Sequence, residues 1–133
     1  MLQLEEPLIS WLILVARCCL AAVFLVSGIH KARYYDKALA EFRGAGVPVV
    51  GLFLPLTIAL HLLASAGLVS GIYAREAALA LALFTIVATL KVHCFWRMVG
   101  AERLNRSRVA MAHLAVVGGL ILLAAVGPGS LTL

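Results

Sequence analysis

The sequence predicts an all-α integral membrane protein, a four-helix bundle, and three observations carry that expectation. Of 133 residues, 64% are hydrophobic and only 13% charged, too little polar residue to clothe a soluble domain of this size. Mean hydropathy is +1.08. Apolar runs of about 20 residues, the length that crosses a bilayer, recur at residues 8–29, 48–71, 77–95 and 109–126. With their connections these runs use the whole chain, so a single domain is expected over 1–133. The excess of Lys+Arg (11) over Asp+Glu (6) points to basic loops beside anionic lipid. It does not point to nucleic acid, because no soluble basic domain is present.

The first run follows Pro7 and ends near Gly28. Glu5 and Glu6 precede it, its apolar core is long, and Arg17 interrupts it, so it reads as a span and not as a cleaved signal. The connection from His30 to Val47 alternates Tyr34, Tyr35, Ala38, Leu39 and Phe42 with basic and acidic residues, which suits a short helix at headgroup level. Gly44-Ala45-Gly46-Val47-Pro48 then turns the chain into the second span. That span contains Pro55, His61 and a Gly67-x-x-x-Gly71 pair, whose small residues suit close helix packing. The short Ile72–Glu76 connection makes the second and third spans antiparallel neighbours. Residues 96–108 are expected to form a basic loop, and Gly127-Pro128-Gly129 to stop the fourth span.

Nine of the 11 basic residues lie in the two long connections or at their edges. The positive-inside rule makes that side cytoplasmic and puts both termini outside, in a multi-pass protein of the inner membrane.

A charge inside a span costs several kcal/mol, roughly 2.5–3.5 at a helix centre, so Arg17 is expected to face protein or water. It shares a helical stripe with Ser10, Leu14, Ala21, Phe24 and Gly28. Thr57, His61 and Ser65 fall on one face of the second span, and Thr85, Thr89 and His93 on one face of the third. Counting from the ends of the spans places Arg17 and His61 at similar depth. His30, His93 and His113 lie near the basic loops, but no HxxxH or CxxC spacing accompanies them, and no metal site is expected. Cys18 and Cys19 are adjacent within a helix and Cys94 is at the opposite end, so packing is the better account of all three than redox chemistry. The acidic residues all lie outside the spans, and no catalytic centre belonging to the chain itself is expected.

Arg17, Phe24 and Ser27-Gly28-Ile29-His30-Lys31 form one pattern, and Gly46-Val47-Pro48 stands at the start of the second span. Gly71, Arg75, His93-Cys94-Phe95-Trp96 and Val117-Gly118-Gly119-Leu120 follow in order. Together these elements resemble the DoxX family of small four-span membrane proteins over nearly the whole chain. The resemblance implies a four-helix bundle and a link to redox systems, since the family is named for a thiosulfate:quinone oxidoreductase subunit. Other members are linked to oxidative-stress complexes, and distant animal relatives are similar to receptor-assembly chaperones. Two departures stand out: His61 where many members have glutamate, and Ala112-His113 where many have Lys-Asn.

A histidine at position 61 cannot neutralise Arg17 as a glutamate would. Two readings stay open for Arg17: it fixes helix packing through carbonyls, Thr57 or water, or it holds a small acceptor-bearing ligand with His61, a quinone head group or a sulfur oxyanion. The candidate ligand set is Arg17, Thr57, His61, Thr85, Thr89, His93, Trp96 and His113. The leading expectation is a membrane subunit or anchor of a redox system, with quinone as the cofactor to test, the lipid bilayer as environment and a soluble oxidoreductase docked on the cytoplasmic loops. A small-anion transporter or channel and an assembly or scaffolding protein are the alternatives, and a homo-oligomer is among the partners the sequence allows.

Overall fold

The computed structural model describes residues 5–92 and 99–132. Within them the chain forms five helices: α1 (Glu6–Arg33), α2 (Tyr35–Gly44), α3 (Val50–Ser70), α4 (Ala74–Val92) and α5 (Gly100–Val126). Among the described residues there is no strand. Helices α1, α3 and α5 are each long and apolar enough to cross a membrane. The described part of α4 carries Arg75, Glu76 and Lys91 at its two ends. The chain is an all-α, multi-pass membrane protein.

Five helices replace the expected four because the first connection is itself helical. Tyr35–Gly44 buries Ala38 and Phe42 against Val50 and Leu54 at the start of α3, the amphipathic helix its alternating pattern predicts. The expected loop 96–108 is corrected over its described part, since α5 begins at Gly100 and includes Arg103, Arg106 and Arg108; residues 96–98 lie outside the described residues. Ala101, Glu102, Arg103 and Leu104 are good helix formers, and Glu102 in the first turn complements the helix dipole.

The bundle closes by α1 packing along α3, α3 against α4, and α4 along α5. Between α1 and α5 the contact is thin, so that seam is the loosest in the ring. Ala21, Phe24, Leu68, Leu81 and Leu120 centre the apolar core. Outward-facing apolar side chains such as Val26, 67% exposed, and Leu63, 73% exposed, form the surface that lipid covers. Cys18 and Cys19 belong to that surface, both exposed and both free thiols.

The buried residues of α1 are Ser10, Arg17, Ala21, Phe24 and Gly28, the stripe the periodicity marks. On α3 the buried set includes Thr57, His61 and Ser65, again as the spacing predicts. Most of these hydroxyls bond back to their own helix. Thr57 Oγ1 donates to the Phe53 carbonyl at 2.8 Å, Ser65 Oγ to that of His61 at 2.5 Å and Thr85 Oγ1 to that of Leu81 at 2.7 Å. Such bonds satisfy a hydroxyl in an apolar surround without reaching another helix.

Candidate functional site: an interior cavity around His61

The register between α1 and α3 decides what meets what. Gly28 lies against His61, and Gly71 lies against the Arg17 guanidinium. Arg17 stands eleven residues before Gly28, about 16 Å along the helix at 1.5 Å per residue. Arg17 and His61 therefore do not share a site, and the equal depth read from the sequence is corrected. The cause is α2: the first turns of α3 pack on α2, which offsets α3 by about three turns from the end-to-end alignment.

Arg17 is fully buried at 0% exposure, and its partner comes from the far end of the chain. After Gly127, whose positive φ of 90° ends α5, the tail folds back over the bundle. Arg17 Nη2 donates to the Leu131 carbonyl, and Ser10 Oγ and Ser130 Oγ are hydrogen-bonded at 2.7 Å. Gly129 lies beside Ile13. Gly71, in the left-handed region at φ 85°, caps α3 beneath this arrangement and leaves room for Arg17 and Thr132 that a side chain would fill. Arg17 thus bonds a backbone carbonyl, the kind of acceptor the packing reading names. Its Nε and Nη1 remain without a hydrogen-bond partner.

At the other end of the bundle a cavity of about 200 Å³ is walled by α1, α2, α3, α4 and α5. Its polar groups are His61, Lys31, Ser27, Glu41, Thr85 and His113, and Phe24, Phe42 and Phe84 are among its apolar walls. His61 is 2% exposed, and neither ring nitrogen has a hydrogen-bond partner. Buried polar atoms in that state are uncommon in native proteins. The imidazole is held by its faces and edges: its ring is 5.3 Å from that of Phe24 and 4.8 Å from that of Phe84, both edge-on. Lys31 Nζ donates to Ser27 Oγ at 2.5 Å, and the Glu41 carboxylate attracts it from α2. On the α4–α5 side Thr89 Oγ1 is hydrogen-bonded to His113 Nδ1 at 2.8 Å and to the Thr85 carbonyl at 2.7 Å.

Of the residues singled out from the sequence, His61, Thr85 and His113 line this cavity and Thr89 orients His113. Arg17 lies at the opposite end, and Thr57 is bonded to its own helix. His93 and Trp96 lie outside the described residues. His30 is exposed and tilts against the Tyr34 ring at 4.9 Å.

The DoxX family model matches residues 12–94. The chain belongs to the DoxX family. It is 33% identical over 118 residues to inner membrane protein YqjF of Escherichia coli (strain K12), covering 89% of this chain and 85% of that protein. It is 24% identical over 122 residues to inner membrane protein YphA of the same organism, covering 92% and 87%. No solved structure matches. In this DoxX protein the motif Ser27-Gly28-Ile29-His30-Lys31 supplies three cavity features at once: Ser27 and Lys31 in the wall and Gly28 as the surface on which His61 rests. Sequence reasoning marked the motif without assigning Lys31 or Ser27 to a site. Their i, i+4 spacing on one helix face was the available signal. Glu41 lies outside the spans in the sequence and reaches the cavity through α2 folding back.

Proposed function

We propose that this DoxX protein is a four-span inner-membrane subunit that binds a quinone head group in the cavity around His61 and serves a soluble redox partner on its basic face. The observation that carries the reading is the pair of unpartnered ring nitrogens of His61, 2% exposed in a cavity it shares with Lys31. A group with two carbonyl acceptors and a flat apolar ring fits these residues: Lys31 and a ring N–H of His61 donate, and Phe24 and Phe84 bound the ring. The volume of about 200 Å³ is below the roughly 300–1,000 Å³ of drug-sized sites and suits one small ring. When bound, such a group would supply two-electron redox chemistry, and the protein's part is to orient it and exclude water.

An oxyanion fits less well. Arg17 is remote, and the Glu41 carboxylate in the same wall offsets the charge of Lys31. The four-span arrangement adds α4 to the three apolar helices, since it lies between α3 and α5 in the ring. Lys31, Arg33, Lys37 and Arg43 then share a cytoplasmic face with Arg103, Arg106 and Arg108. Inner-membrane residence is supported by the similarity to the inner membrane proteins YqjF and YphA.

The test is decyl-quinone binding to the purified protein in lipid nanodiscs. Saturable binding is expected, weakened about tenfold or more by His61→Leu and by Lys31→Met, as loss of a buried hydrogen bond to a charged or otherwise unsatisfied group predicts. Equal binding by the folded wild type and the double variant overturns the reading.

A further inference from the structure

Helix α2 contributes Glu41 and Phe42 to the wall of the His61 cavity, and both of its joints are short. Tyr34, at φ −110° and ψ 54°, is the single residue between α1 and α2. At the other end Val49 leads into α3 with φ 48°. A β-branched residue in the left-handed region is rare and strained, and such strain persists only where the surroundings impose it. The Val49 side chain is 67% exposed, so its own packing does not impose it. What fixes both sides of Val49 is the docking of α2: Ala38 and Phe42 pack on Val50 and Leu54. Before the valine, Ala45 N–H donates to the Glu41 carbonyl at 3.0 Å and Val47 N–H to that of Phe42 at 3.1 Å. After it, Leu52 and Phe53 N–H donate to the Val49 carbonyl at 2.9 and 3.1 Å. The strained turn is thus tied on one side to the two residues that wall the cavity.

We propose that α2 is a lid on the His61 cavity, hinged at Tyr34 and Val49, whose swing carries Glu41 and Phe42 out of the wall and admits the ligand. The inference rests on the head-group reading above for what the lid admits, and adds how that site opens and closes. Two opposed effects set its position. Burial of Ala38 and Phe42 holds the lid shut, and the strain at Val49, relieved once its φ is free to change, favours opening. Helix α2 packs on α3 and α1 but stands outside the ring that α1, α3, α4 and α5 close, so it can move without parting the bundle. Element-terminal residues that absorb a φ/ψ change are the usual hinges of such motions. Glu41 is exposed although it lines the cavity, which puts it at the rim where the lid parts. Lys31 stays on α1 when Glu41 leaves, and the opened cavity presents its ammonium to an entering acceptor.

The experiment measures thiol access in the full chain in nanodiscs, with Cys18, Cys19 and Cys94 replaced by alanine and one new thiol introduced. Thr85→Cys places it in the cavity wall, at a position 4% exposed. Ser65→Cys places it outside the cavity, at a position 1% exposed. The probe is a charged methanethiosulfonate, which the lipid interior excludes. Phe42→Ala, which removes apolar packing from the lid, is expected to speed modification of the Thr85→Cys thiol about tenfold or more. Val49→Asn is expected to slow it about tenfold, because asparagine tolerates the left-handed region that valine resists. The Ser65→Cys thiol is expected to react at one rate in all three backgrounds. A Thr85→Cys rate unmoved by either change, or the two thiols moving together, overturns the lid. No quinone enters this measurement, so the two readings fail separately. Gated access without saturable decyl-quinone binding overturns the head-group site and keeps the lid; saturable binding with ungated access does the reverse.

Discussion

Gly28 and His61 are in direct apposition: a Cβ built on Gly28 would lie 3.0 Å from the Cβ of His61 and 3.2 Å from Leu62. Only a residue without a side chain lets α1 approach α3 this closely, and that approach holds the imidazole between Phe24 and Phe84.

Gly28→Ala is thus expected to push the two helices apart by a few tenths of an ångström. Overpacking of this kind typically costs about 1–3 kcal/mol. Thermal unfolding in detergent measures it, and unchanged stability would contradict the tight apposition.

Arg17→Leu removes the donor to the Leu131 carbonyl but touches nothing in the cavity. Hydrogen exchange in residues 127–132 is expected to rise about tenfold or more, the loss of one charge-assisted bond. Decyl-quinone affinity is expected to stay unchanged. A variant that lost ligand and kept its tail ordered would return Arg17 to the binding site.

Gly71→Ala combines two costs. The left-handed φ of 85° disfavours alanine by about 1–2 kcal/mol, and the added Cβ would stand 2.5 Å from Arg17 Nη1. A markedly lowered unfolding temperature is expected, partly restored in the Arg17→Leu background because the clash with the guanidinium disappears while that with Thr132 remains. Additive effects of the two changes would count against the contact.

Thr89 and His113 join α4 to α5. A double-mutant cycle with Thr89→Val and His113→Leu is expected to give a coupling of about 0.6–1.7 kcal/mol, the range found for hydrogen bonds between membrane helices. Zero coupling would show that the bond contributes nothing to the bundle.

Much of this was legible in advance. The stripe of Ser10, Arg17, Ala21, Phe24 and Gly28, and that of Thr57, His61 and Ser65, could be found because polar or small residues at helical spacing stand out against apolar sequence. The partner of Arg17 could not, since a backbone carbonyl has no sequence signature and Leu131 is 114 positions away. Depth was misjudged for a related reason: matching the ends of two spans assumes that both ends lie level. Ala38 and Phe42 spoil that assumption by packing on Val50 and Leu54. Lys31 and Glu41 lay beyond the expected spans, where charged residues are ordinarily discounted as solvated.

The short helix α2 acts as a ruler. Its length sets which residue of α3 comes to rest on Gly28, and at present that is His61. Removing or adding one helical turn there would present Thr57 or Ser65 instead, hydroxyls already committed to their own helix. In this chain an insertion or deletion in a connecting segment is therefore expected to change which side chain faces Gly28, with every residue of the membrane spans left untouched.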